Sequence, residues 1–274
     1  MEIRRLSAAL GAEVRGLDLS ELSQEDFDRV RQAFYEHIVL VFPAQELSPC
    51  DQVAFTARFG PVEPHPLRSR AGVEGHPEVL VLRNEKGRPS ARNDWWHSDI
   101  SFAEKPPAAS VLHCLQTTAG YGDTLFCNMY AAFDELSEPM KRFLSSLSAL
   151  HDSGKLAVRN NAPGSDAQPI PEIPPPVEHP VVRRHAGSGR LALYVNPYFT
   201  SGFAGIAAGE SRPILEYLYE RATRHENVHR HRWSAGDLVM WDNRAAMHYA
   251  VYDYGEEQPR LMHRTTAGGE RPSA

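Results

Sequence analysis

Cysteine is scarce in this chain and poorly spaced for structural use. The three that occur, Cys50, Cys114 and Cys127, form no CxxC pair and leave one over in any pairing. A disulfide framework and a structural zinc knuckle are thereby excluded, and a reducing compartment fits best. Apolar runs approaching the roughly eighteen residues needed to cross a bilayer are also missing. The opening MEIRRLSAALGAEVRGLDL has neither an apolar secretory core nor a lipidation signal, so a cytoplasmic protein with no membrane partner is expected. Positive charge is not in excess: 29 Lys and Arg face 35 Asp and Glu, a net charge of −6. That balance disfavours binding to a phosphate backbone, and no nucleic-acid partner is expected. GxGxxG and P-loop motifs, internal repeats and an interdomain linker are absent as well. With 274 residues, 42% of them hydrophobic, the chain can bury a substantial core as one large domain or two small ones.

What the chain does have is 21 prolines, 19 glycines and 13 histidines. Near the start, Ser23 with Asp26 three residues on reads as a helix cap before Phe27, Val30 and Phe34, which recur at helical spacing. Ile38 to Phe42 reads as a buried strand, and Ser48-Pro49 opens a second helix that stops before Gly60. From about residue 78 the texture becomes short β-prone pieces: VLVLRN, SVLHCL, DTLFCN, HPVVRRH, RLALYVN, DLVMWDN and RLMHRTT. These predict a mainly β fold with flanking helices, a sandwich or jelly roll in preference to a doubly wound sheet. Leu136, Met140, Phe143, Leu144 and Leu147 share one helical face, as do Leu215, Leu218 and Tyr219, which predicts two outer helices. Residues 159–180 hold seven prolines and read as an irregular excursion, either a lid or a surface insertion. The closing AGGERPSA reads as a frayed terminus.

The sharpest chemical feature is NDWWHSDISF, where His97 and Asp99 are separated by one residue. In an extended segment that spacing puts both side chains on one face, where an imidazole and a carboxylate reach one ion. WDNRAAMHYA follows an apolar strand and supplies His248 as a third donor. Two histidines and one aspartate on one face of an octahedron suit non-haem Fe(II) and leave sites for a chelating cosubstrate and O2. Zinc accepts the same donors, so a zinc hydrolase and a non-catalytic jelly-roll binding module stay open at this point.

The chain resembles the taurine dioxygenase family of Fe(II)- and 2-oxoglutarate-dependent oxygenases. The resemblance rests on the GAEVRGLDL start, Phe59-Gly60, WHSDISF, PPAASVLHC, YGDTLF, HPVVRRH, WDNRAAMH and LMHRTT, in the family's order. It implies a single domain over residues 1–274 with a double-stranded β-helix, the cupin-like jelly roll, and iron held by His97, Asp99 and His248. It further implies that Arg260 and Thr124 bind the far carboxylate of 2-oxoglutarate, and that Arg264 points to the reaction centre to hold an anionic substrate. Carried over in the same way, His65, Asn93, Ile100 and Phe199 line the substrate pocket. Arg68 stands where the family's taurine enzyme has a tyrosine, and Leu156 and Ala157 where it has a serine and a phenylalanine. Taurine is therefore not the expected substrate. The expected reaction is hydroxylation of a small organic acid, a sulfonate, sulfate ester or aryloxy acid, with release of succinate and CO2. Family habit also implies a homo-oligomer, dimer or tetramer.

Overall fold

A computed structural model of the 274-residue chain describes residues 1–65, 72–87, 92–163 and 168–274. Its main sheet has eight strands. In spatial order they are Glu2–Arg5, Ala12–Arg15, Val39–Phe42, Leu238–Asp242, Ala109–Gln116, Arg260–Ala267, His76–Asn84 and Gly72–Val73. All neighbours are antiparallel except Ala12–Arg15 with Val39–Phe42. Three further strands, Val228–His231, Thr124–Asn128 and Ala246–Ala250, pair antiparallel as a smaller sheet.

Side-chain alternation explains why the central strands read as unbroken apolar runs. Successive residues of a strand point to opposite faces, and here both faces are covered. Val39, Val41, Val239, Trp241, Leu112, Cys114 and Met262 enter one core with Phe126 of the smaller sheet. Leu40, Phe42, Leu238, Met240, Ala109 and Val111 enter a second core with Val30 and Phe34 of the helix Gln24–His37 and Phe55 of the helix Pro49–Ala57. Both helices begin as the sequence predicts. Ser23 accepts from the Asp26 N–H, and Ser48 with Asp51 forms a reciprocal capping box with Pro49 in the first turn. All seven predicted β-prone pieces contribute strand, HPVVRRH as two short strands, Val177–Pro180 and Val182–Arg184.

Three expectations change. The helix predicted through Leu136–Leu147 is shorter, Glu138–Ser145, with a separate helix Met129–Asp134 before it and the strand Ser148–His151 after it. Ser137 at the N-cap with Pro139 in the first turn starts this helix, in which Leu144 is buried and Phe143 is exposed. The proline-rich excursion is shorter than 159–180, because the helix Gly154–Asn160 enters it and the strand Val177–Pro180 leaves it. Asn161 pins Ile170 within it by a reciprocal pair of bonds, Nδ2–H to the Ile170 carbonyl at 2.7 Å and the Ile170 N–H to Oδ1 at 2.8 Å. Residues 164–167 lie outside the described residues. The C-terminal tail, finally, is docked instead of frayed. Glu270 pairs with buried Arg183 at 2.8 Å, the Ser273 carbonyl accepts from the Arg184 N–H at 2.8 Å, and Pro272 is buried. Gly269 passes so close to the Pro106 carbonyl that a Cβ would lie 2.2 Å from its oxygen, so only glycine fits there.

Candidate metal and cosubstrate site

The donor cluster is built by register between strands. His97 and His248 face each other as an antiparallel hydrogen-bonded pair. The His97 N–H donates to the His248 carbonyl at 3.0 Å, and the His248 N–H to the His97 carbonyl at 2.8 Å. Directly opposite residues put their side chains on one face, and the two imidazole centroids are 4.1 Å apart. Asp99 joins them differently from the expectation of a continuous extended segment. The chain turns at Asp99, and Ile100 takes φ 50°, a left-handed conformation that a β-branched residue rarely adopts. That turn brings Asp99 Oδ1 to 3.7 Å from His97 Nε2 and 3.9 Å from His248 Nε2. Donor atoms of His97, Asp99 and His248 lie within 4.8 Å of one another, and all three residues are buried.

Neighbouring groups fix the charge and orientation of each donor. Burial alone would raise the pKa of Asp99, but the Arg264 guanidinium, the two histidines and Ser110 outweigh it and hold the carboxyl well below the usual range. Arg264 Nη2 lies 2.7 Å from Asp99 Oδ2, and Ser110 Oγ donates to the same oxygen at 2.7 Å. Oδ1 is thus left to face the imidazoles. His97 Nδ1 sits 2.8 Å from the Trp95 carbonyl, which can only accept, so the proton belongs on Nδ1 and the Nε2 lone pair points inward. Burial lowers the pKa of both histidines, which keeps them neutral as metal binding requires. Asn243 accepts from the Trp241 indole at 3.1 Å and the Asp99 N–H at 3.3 Å, and donates to Ser110 at 3.0 Å. It therefore braces Asp99 itself. The turn leading to His248 is held by Asp242, which accepts from the Arg244 N–H and forms a two-point pair with the Arg244 guanidinium at 2.8 and 2.7 Å.

Register also gathers the cosubstrate candidates. Thr124 and Phe126 are two residues apart on one strand, and His248 is opposite Phe126, so Thr124 shares the face of His248. Trp233 donates its indole N–H to Thr124 Oγ1 at 3.0 Å, and the Arg260 guanidinium lies 6.0 Å from the Trp233 ring. Arg260 Nε is buried with no hydrogen-bond partner, and no carboxylate pairs with the residue among the described residues. A guanidinium N–H buried without an acceptor is costly until an anion meets it.

Of the other predicted residues, Asn93 places Nδ2 3.2 Å from His97 Nε2 and takes the Ala250 N–H on its carbonyl at 3.4 Å. Phe199 is buried with its ring 6.1 Å from His97. His65 is half-buried in irregular chain, and Arg68 lies outside the described residues. Arg264 is at the centre as expected, yet its Nη2 is engaged with Asp99, and its buried Nε lacks a partner. Reasoning from sequence missed Ser110, although its place opposite Trp241 in the paired strands puts it on the inward face. A groove of about 590 Å³ lined by Gln45, His113 and Gly236 among others includes none of these residues.

Behind the Asp99 turn, Ser101 Oγ contacts His151 Nδ1 at 3.0 Å and accepts from Asn196 Nδ2 at 2.9 Å, while Asn196 Oδ1 takes the Phe199 N–H at 2.8 Å. Ile100 and Phe199 are tied to one buried polar hub. Burial pushes His151 down to about 3. A histidine kept neutral in the folded protein contributes stability that is complete above its unfolded pKa near 6.5 and is lost as pH falls toward 3. Unfolding free energy from urea titrations should therefore drop by about 1.4 kcal/mol per pH unit from this residue between pH 6 and 4. H151Q should flatten that slope, whereas an equal slope in the variant would remove His151 as its source.

Two histidines and a charge-held aspartate on a double-stranded β-helix define a non-haem iron oxygenase site. The chain belongs to the family described as taurine catabolism dioxygenase TauD, TfdA family, which it matches over residues 2–266. It is 34% identical over 281 residues to the alpha-ketoglutarate-dependent sulfate ester dioxygenase of Pseudomonas putida, covering 99% of this chain and 91% of that protein. With the alpha-ketoglutarate-dependent 2,4-dichlorophenoxyacetate dioxygenase of Cupriavidus pinatubonensis it shares 35% identity over 259 residues, 89% of each chain. Its fold superposes on the crystal structure of AAD-2 in complex with Mn(II) and N-oxalylglycine with a TM-score of 0.80 and 30% identity, covering 100% of this chain and 99% of that one. The protein is an Fe(II)- and 2-oxoglutarate-dependent dioxygenase. No helix among the described residues is long and apolar enough to cross a membrane.

Proposed function

We propose that His97, Asp99 and His248 hold the iron, that Arg260 and Thr124 seat the distal carboxylate of 2-oxoglutarate, and that the primary substrate is a small organic anion, a sulfonate, sulfate ester or aryloxy acid. The observation that carries this reading is half-buried Arg260, whose buried Nε has no partner and which has no carboxylate partner among the described residues, near the Trp233 that bonds Thr124 and on the same strand face as Arg264. A zinc hydrolase has no use for such a cation. Bound iron with 2-oxoglutarate and O2 supplies the oxidising power that places one oxygen atom in a substrate C–H bond and the other in succinate, with loss of CO2. The residues of the chain do the positioning. Arg264 and Ser110 keep Asp99 anionic and in place, and the partnerless Arg264 Nε leaves a donor at the centre for an anionic group. His65, Asn93, Ile100 and Phe199 line the substrate side. Hydroxylation of a carbon bearing a sulfonate, sulfate ester or ether oxygen gives a product that collapses to an aldehyde and releases sulfite, sulfate or an alcohol.

Because residues 97, 99, 124, 248 and 260 serve one site, we read residues 1–274 as one domain with the proline-rich segment as its excursion. The three free thiols suit the cytoplasm, and the family resemblance supports a dimer or tetramer. Anaerobic Fe(II) and 2-oxoglutarate added to the metal-free protein should give a visible charge-transfer band. Alkyl sulfates, sulfonates and aryloxyacetates should then be ranked by succinate formed. A folded, iron-loaded protein without the band would defeat this reading.

A further inference from the structure

Arg159 was not among the residues singled out by motif, and it is the other cation beside the site for which the described residues offer no carboxylate. It lies in the last turn of the short helix Gly154–Asn160, three residues beyond Leu156, so the two share a face. Leu156 and Ala157 pack with Tyr198, Phe199, Trp95 and Phe102 in a separate apolar cluster. This cluster reaches the metal donors: the rings of Tyr198 and Phe199 stand 6.2 and 6.1 Å from His97, and Trp95 stacks on Tyr198 at 4.6 Å. The Arg159 guanidinium lies 5.6 Å from the Trp95 ring centroid.

The guanidinium is held without being neutralised. Nε and Nη2 donate to Asn160 Oδ1 at 3.0 and 2.8 Å, and Nη1 donates to the Arg92 carbonyl at 3.0 Å. Asn160 is buried and in turn donates to the Gln168 carbonyl at 2.9 Å. Three of the five N–H groups of the fork are thereby spent on neutral oxygens, which leaves one on each terminal nitrogen. Two more donors nearby have no acceptor: the buried Trp95 Nε1 and the hydroxyl of Tyr198. Burial also opposes the charge of Arg159. An aromatic wall carrying a pre-oriented cation and two partnerless donors lacks one thing, an anion.

We infer that Arg159 is the outer anchor of the primary substrate, binding an anionic group at the mouth while an apolar body lies along Phe199 and Tyr198 toward His97. Resting on the oxygenase reading above, this deepens it. The substrate class is an organic dianion: one anionic group lies beside the oxidised carbon at the Arg264 Nε, and a second, across an apolar segment, meets Arg159. Arg264, committed to Asp99, is then relieved of sole responsibility for recognising the substrate.

The test compares R159Q and R159K with the wild type, using adipate, suberate and 6-sulfooxyhexanoate as probes, hexyl sulfate, whose KM should not move in R159Q, as the monoanionic control and 1-hexanol as the neutral one. Probe-dependent succinate formation gives KM and kcat, and quenching of tryptophan fluorescence gives binding without turnover. R159Q should raise KM and the dissociation constant about tenfold or more for whichever dianionic probes the wild type accepts, with kcat held within a few-fold, and R159K should recover part of the loss. The 2-oxoglutarate dissociation constant and the Fe(II) charge-transfer band should not move. Equal KM and equal quenching for the dianions in R159Q and wild type, with the band intact, would overturn the anchor and leave the oxygenase reading standing. So would 1-hexanol binding as tightly as the dianions. Loss of the band in the wild type itself would defeat the oxygenase reading instead.

Discussion

Succinate formation by D99A should fall by more than about a hundredfold, and the charge-transfer band with Fe(II) and 2-oxoglutarate should vanish. Changes in groups that merely orient a metal ligand cost up to about 100-fold, so removing the sole anionic donor must cost more. A second effect has to be separated from this. Asp99 neutralises the buried Arg264, and deleting one member of a buried pair leaves an uncompensated charge at a cost of about 3 to 5 kcal/mol. D99N retains an oxygen acceptor of the same shape for Arg264 and Ser110 while losing the negative charge. Thermal unfolding by circular dichroism should therefore rank D99N above D99A, and both should lack turnover. Wild-type succinate formation by either variant would remove Asp99 from the metal.

How far the sequence discloses this molecule depends on the range over which each interaction acts. Capping boxes and strand alternation are local. Ser23, Ser48 and the period-two split of Val39–Phe42 can be read directly, and the structure has them where they are expected. The donors were legible through residue chemistry and motif, but not the way they meet. His97 reaches His248 through a strand pairing of residues 151 positions apart, and Asp99 reaches both through a turn at Ile100 that no propensity of isoleucine suggests. Longer-range pairs were silent. Nothing near Glu270 announces Arg183, 87 residues away, and a polar Gly- and Pro-containing tail resembles a frayed end until that buried guanidinium is seen beneath it. Arg159 illustrates the same limit, since its meaning lies in a carboxylate that none of the described residues offers it.

Loss of the Arg260 guanidinium should weaken 2-oxoglutarate most of all the changes outside the metal donors. Two charge-assisted hydrogen bonds to a buried carboxylate contribute about 1.5 to 3 kcal/mol each, so R260A should raise the dissociation constant about a hundredfold or more, read by anaerobic titration of the charge-transfer band. The effect should fall on affinity before turnover, because Arg260 sits against Trp233 and Gly122 and not against the metal donors. R260K should recover little. Lysine supplies one point charge where the cosubstrate carboxylate can take two donors in a plane, and it has no second N–H edge to face Thr124. T124V, which keeps the cation and removes one hydroxyl proton, should cost about tenfold. The structure also sets the opposite outcome. Arg264 lies four residues along the same strand and on the same face, and its Nε has no partner. If R260A titrates like the wild type while an Arg264 variant with intact iron binding does not, the distal carboxylate belongs to Arg264. The loss of iron retention that accompanies release of Asp99 distinguishes a true cosubstrate defect from a collapsed metal site.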